Sequence, residues 1–163
     1  MFSLSRLFGD SRSKRNQNSS LKHPAMDLSP LTDAMAAGSY VKIADICDNL
    51  MLQASAEGIN FQNDWPYAIH LLAHIYNGDI NSARFLWKSI PVAVKESQPE
   101  VIAVWNIGQK LWTKDYAAVY QALSAFNWSS QIQPFVTAFS GHLSLIAMLS
   151  YLRLLFVPNQ LIV

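Results

Sequence analysis

Three times this chain ends one helix and starts the next with the same kind of join: Gly38-Ser39-Tyr40, Gly78-Asp79-Ile80 and Lys114-Asp115-Tyr116. The joins lie 40 and then 36 residues apart, and each leads into an apolar segment containing Ala. A helix–turn–helix unit recurring at that distance is the signature of a TPR-like helical solenoid, in which each pair buries its apolar face on its neighbour. Stacks of this kind present surfaces to other proteins and rarely do chemistry.

Helix signals continue along the chain. Ser29-Pro30 reads as an N-cap followed by Pro at the first helical position, and Gly38 ends that short helix. The next runs from Tyr40 to Ala56 with Tyr40, Ile43, Cys47, Leu50 and Ala54 on one stripe, and Gly58 supplies a left-handed cap. Asp64-Trp65-Pro66 opens a third, with Trp65, Ile69, Leu72, Ala73 and Tyr76 inward. Asp79 caps a fourth, with Ile80, Ala83, Trp87 and Ile90 inward, and Pro91 interrupts it. Ser97-Gln98-Pro99-Glu100 has the form of a capping box, opening a helix that gathers Val101, Val104, Trp105, Gly108, Leu111 and Trp112. A sixth helix carries Tyr116, Val119, Tyr120, Leu123 and Phe126, and a seventh starts after Ser129-Ser130. No segment shows sustained strand alternation, so the fold class is all-α.

Three regions follow from composition. Residues 1–26 carry five basic residues against Asp10, a net +4, and lack apolar periodicity; they read as a disordered basic extension. Their Ser- and Arg-bearing character with Phe2, Leu4, Leu7 and Phe8 also resembles a mitochondrial presequence, and Lys14-Arg15 suits an import receptor. Residues 27–140 form the helical-repeat domain, and 141–163 an apolar tail of different character. Beyond residue 26 there are 7 basic and 10 acidic residues, which gives no electrostatic case for nucleic acid. With 51% apolar residues the chain can build a core unaided, and its single cysteine forms no internal disulfide. The 15 residues Leu143–Val157, interrupted by Arg153, fall short of a membrane span. They are expected to pack less well than the repeats.

The search for chemistry yields one pair. His70 and His74 share a helix face and could bind one metal, as in a metal-dependent hydrolase. The Glu that a zincin needs after the first His is replaced by Leu71, and no third ligand is evident nearby. Tyr67, His70, His74 and Asn77 read instead as a solvated or interface strip. Cys47 reads as a buried hydrophobe, and Asp45, Asp48 and Glu57 as scattered surface acids. Trp65 and Trp128, at helix starts, are candidate partner anchors, with packing the favoured alternative. The candidate interface residues are thus Trp65, His70, His74 and Trp128. No catalytic, cofactor-binding or small-molecule site is expected.

The runs NDWPYAIHLLAHIYNGDINSARFLWKSIP, AVWNIGQKLWTKDYAAVYQAL and FNW closely resemble, in a plant-like version, the family of subunit eight of the COP-nine (constitutive photomorphogenesis) signalosome. The same family includes small subunits of the proteasome lid and of translation initiation factor three. The resemblance covers Met26 to Ser140. It implies the helical-repeat part of a PCI-type subunit, normally followed by a winged helix, which is missing where GHLSLIAMLSYLRLLFVPNQLIV stands. It further implies a non-catalytic scaffold supporting cullin deneddylation, and so regulation of cullin–RING ubiquitin ligases and of light-dependent development. The partners implied are other signalosome subunits, subunit three among them, and the location implied is nucleus and cytoplasm. The departures imply a truncated, partly assembly-defective product with an additional N-terminal segment.

Overall fold

The computed structural model describes residues 26–59 and 64–156. They form eight α-helices: α1 (Ser29–Ala36), α2 (Tyr40–Ala56), α3 (Tyr67–Tyr76), α4 (Ile80–Ser89), α5 (Val92–Ser97), α6 (Pro99–Trp112), α7 (Tyr116–Ala125) and α8 (Gln133–Phe156). No strand occurs among the described residues, in agreement with the all-α reading. The expectations for residues 1–25, and for the last residues of the apolar tail (157–163), lie outside the described residues.

Four helices end in the same way. Gly38, Gly58, Gly78 and Lys114 have φ of 65°, 67°, 75° and 57°, in the left-handed region. In each case that residue's N–H bonds the carbonyl three residues back, and the next N–H bonds the carbonyl five back, as in Gly78 to Ile75 and Asp79 to His74. Both bonds satisfy carbonyls that a helix end would otherwise leave without partners. Asp79 and Asp115 then turn their carboxylates onto the N–H groups of Ser82 and Ala118, at 2.9 and 3.0 Å. Asn77 Nδ2 donates to the carbonyl of Val41 at 2.9 Å, tying the second join to the first. Lys114 is the exception in side chain, since its Cβ crowds the backbone where glycine has none. Lys114→Gly is therefore expected to stabilise the protein by about 0.5–1 kcal/mol, the steric relief outweighing the added chain entropy. A urea midpoint that fell on this change would refute that account.

At the centre stands α3, which packs against α2, α4, α6 and α8. Every residue from Tyr67 to Ile75 is buried, including Tyr67, His70 and His74 of the expected polar strip. Gly108 lets α6 approach closely: a Cβ there would lie 3.1 Å from Ile75 Cδ1. The N-terminal half of α8 closes the other side with aromatic contacts. Phe135 stacks on Tyr40 at 4.5 Å, and His142 stacks on Tyr76 at 4.6 Å between ring centres.

Several local expectations are corrected. Ser97-Glu100 does not form a capping box, because Ser97 is the last residue of α5 and its hydroxyl donates to Val94 O. Glu100 instead receives the N–H and hydroxyl of Ser129, at 2.9 and 3.2 Å, across the start of the last helical segment. Ser29 is the first residue of α1 rather than its N-cap, which is Leu28, and the Asp27 carboxylate accepts the Ser29 N–H at 2.9 Å. Pro91 does more than interrupt a helix, since it heads the short α5. Trp112 is 58% exposed rather than inward. At 100° per residue, Val101, Val104, Ile107 and Gly108 centre the buried stripe, and Trp105 and Trp112 fall on its flank.

Burial along α8 falls off after Leu143, with no break in the helix at residue 141. Helix α8 runs unbroken through Gly141, with Phe135, Val136, Phe139 and Leu143 buried. Beyond it Leu145, Met148 and Leu149 are each more than half exposed. No helix among the described residues is long and apolar enough to cross a membrane.

Candidate functional site

The joins between α2, α3 and the loop before α3 bring four polar-capable side chains together. The imidazoles of His70 and His74, one turn apart on α3, point at α2 and are buried. There they meet Asp48, whose side chain is half exposed. Asp48 Oδ1 lies 2.9 Å from His70 Nε2 and 3.4 Å from His74 Nε2, and the two Nε2 atoms are 3.0 Å apart. On the far side, the indole N–H of Trp65 donates to His70 Nδ1 at 3.1 Å. The solvated strip expected through His70 and His74 is thus an interior network. The third donor that sequence did not reveal is Asp48, brought from 22 residues earlier in the chain.

Three donor atoms this close could span one metal ion, since the edges of a tetrahedral zinc site are about 3.3 Å for bonds of 2.0–2.1 Å. The hydrogen bonds favour a different state. Because Trp65 donates to Nδ1, neutral His70 carries its proton on Nε2. That proton points at Asp48, so the nitrogen a metal would need is already engaged. Burial, then the neighbouring His74, push the His70 pKa down to about 4, with Asp48 pulling the other way. At neutral pH His70 is an uncharged imidazole donating to Asp48, a bond that holds α2 to α3. A shallow groove of about 360 Å³, edged by Met51 and the exposed Phe85, opens over Asp48.

The remaining candidates are also interior. Trp65 is 1% and Trp128 7% exposed, so neither projects a side chain to a partner. Each indole N–H is used within the chain: Trp65 as above, and Trp128 on the carbonyl of Leu123 at 2.8 Å, closing the end of α7. Cys47 is buried, and burial drives its thiol up to about 12, leaving no thiolate for nucleophilic chemistry at neutral pH. Asp79 and Asp115 serve as helix caps. The exposed large apolar side chains among the described residues include Phe85 on α4, Trp112 on α6 and Leu145, Met148 and Leu149 on α8.

Residues 62–143, from just before α3 into α8, match the model of the CSN8/PSMD8/EIF3K family. The chain belongs to that family. Similar proteins include the COP9 signalosome complex subunit 8 of Arabidopsis thaliana, 61% identical over 115 residues, 71% of this chain and 58% of the relative. Subunit 8 of Xenopus laevis is 34% identical over 113 residues, 69% of this chain and 56% of that protein. That of Danio rerio is 33% identical over 102 residues, 60% and 53% of the two. The chain therefore spans little more than half the length of these family members. The matched segment contains His70 and His74, together with the exposed Arg84, Gln109 and Trp112.

Proposed function

We propose that this chain is a non-catalytic scaffold subunit of the COP9 signalosome, binding other subunits through the outer surfaces of its helices. The observation that carries this reading is the 61% identity to the Arabidopsis subunit over 115 residues. The chemistry of the interior agrees with it. His70 is committed to Trp65 and Asp48, and Cys47 is a protonated, buried thiol. In this reading the chain contributes to cullin deneddylation only by position, in nucleus and cytoplasm, with subunit three as a direct neighbour.

The test is co-expression of the full chain with the other signalosome subunits of a plant and affinity capture through a tag on this chain. Recovery of subunit three, alone or with others, is the expected result. Recovery of none of them would remove the assembly role and leave only family membership. The competing hydrolase reading predicts zinc retained in the purified protein at one equivalent, abolished by His70→Ala with His74→Ala. The network described above predicts less than about a tenth of an equivalent.

A further inference from the structure

Between α4 and the C-terminal end of α6 lies a groove of about 410 Å³, floored by Ile80, Trp105 and Gly108 and edged by Arg84, Gln109 and Trp112. Its edge is the one place where a tryptophan of this chain stands mostly in solvent, with Trp112 58% exposed. The other four indoles are buried or half-buried, and Trp105 and Trp87 stack on each other at 5.4 Å. Among the described residues nothing forms an ion pair with Arg84. The Gln109 amide and the Trp112 indole N–H are likewise without hydrogen-bond partners there. Core packing explains none of these three side chains.

The electrostatics of the groove point one way. Arg84 is the only charged side chain that lines the groove, and the acids flanking α4 and α6 (Asp79, Glu100 and Asp115) have their carboxylates taken by Ser82, Ser129 and Ala118. The Arg84 charge is without an ion-pair partner among the described residues, on a body that is acidic overall beyond residue 26. A planar guanidinium matches a carboxylate with two parallel hydrogen bonds, and Trp and Arg together dominate the energetics of protein interfaces. We infer that this groove docks a segment of a partner protein in which an Asp or Glu carboxylate lies one helical turn from a Leu or aromatic side chain. The carboxylate meets Arg84, and the apolar side chain lies on Ile80 and Trp105 under Trp112. The inference rests on the reading of the chain as an assembly subunit and assigns that assembly a surface.

Co-expression with the other signalosome subunits tests it with three variants of the full chain: Arg84→Glu, Trp112→Ala and, as a control on α2, Leu52→Asp at a side chain 69% exposed. The first two are expected to lower the recovered partner by about tenfold or more, with unchanged helical signal, and the control to leave it unaltered. Undiminished recovery by both groove variants overturns the groove and leaves the assembly reading intact. Failure of the wild-type chain to recover any subunit overturns both, and an equal loss in the control variant overturns the groove alone. A second measurement reads the partner's chemistry, by placing the photo-crosslinker p-benzoylphenylalanine at Thr113 on the groove edge. A crosslinked peptide with Asp or Glu within four residues of Leu or an aromatic residue supports the assignment, and one without an acid overturns it.

Discussion

Phe135→Ala is expected to lower the free energy of unfolding by about 3–5 kcal/mol, a large part of the stability of a domain this size. The side chain is fully buried, stacks on Tyr40 with an interplanar angle of 12°, and tilts against Tyr76 at 5.6 Å. It is the point where α8 meets both α2 and α3, so truncation opens a cavity between elements far apart in sequence. A void there cannot refill from one side alone. Leu145→Ala, ten residues on in the same helix and 57% exposed, is expected to change stability by less than about 0.5 kcal/mol. Urea unfolding followed by far-ultraviolet circular dichroism measures both. A loss below about 1 kcal/mol at Phe135 would mean that α8 is not docked on the body.

The second large effect is acid sensitivity through His70. Its folded pKa of about 4 lies below the ordinary 6.5, mainly because burial disfavours the charged ring. Above pH 6.5 the imidazole is neutral folded and unfolded, and its contribution to stability is fully present. As pH falls from 6.5 towards 4, the unfolded chain takes up a proton that the folded chain refuses. Stability therefore drops, by about 2–3 kcal/mol at pH 4.5. Since carboxylates also titrate near the lower end, the informative quantity is the difference between wild type and His70→Gln across the range. The variant is expected to be less stable at pH 7 but to lose less on acidification. Parallel stability curves for the two proteins would show that His70 does not carry the effect.

Local chemistry was legible where it depended on neighbours in sequence. The helix ends at Gly38, Gly58 and Gly78, and the cap of Asp79, require only a few residues whose backbone preferences are strong. The stripes of α2 and α6 followed from period alone, with Trp112 misjudged because a flank position is buried only if a neighbouring helix reaches it. The capping box failed for a similar reason. Ser97 and Glu100 have the right spacing, but α5 ends at Ser97 and Ser129, folded nearby, takes the Glu100 carboxylate. Nothing local announces a partner 29 residues away.

The candidate site was half legible. His70 and His74 were visible as a pair, but a helical spacing says only that two residues share a face, not whether that face meets water. Asp48 and Trp65 joined them through packing, and Trp65 decided which nitrogen of His70 holds the proton. That decision turned a metal-sized triangle into a hydrogen-bonded clamp.

By itself the sequence determined the helical class, the three joins and the absence of strand pattern, because backbone preferences and apolar period act over one or two turns. Only the tertiary structure decided that α3 is the hub, that its histidines are interior and that Arg84 and Trp112 stand beside one groove without partners among the described residues. Burial and pairing depend on which distant helices arrive, and that is a property of the packed whole.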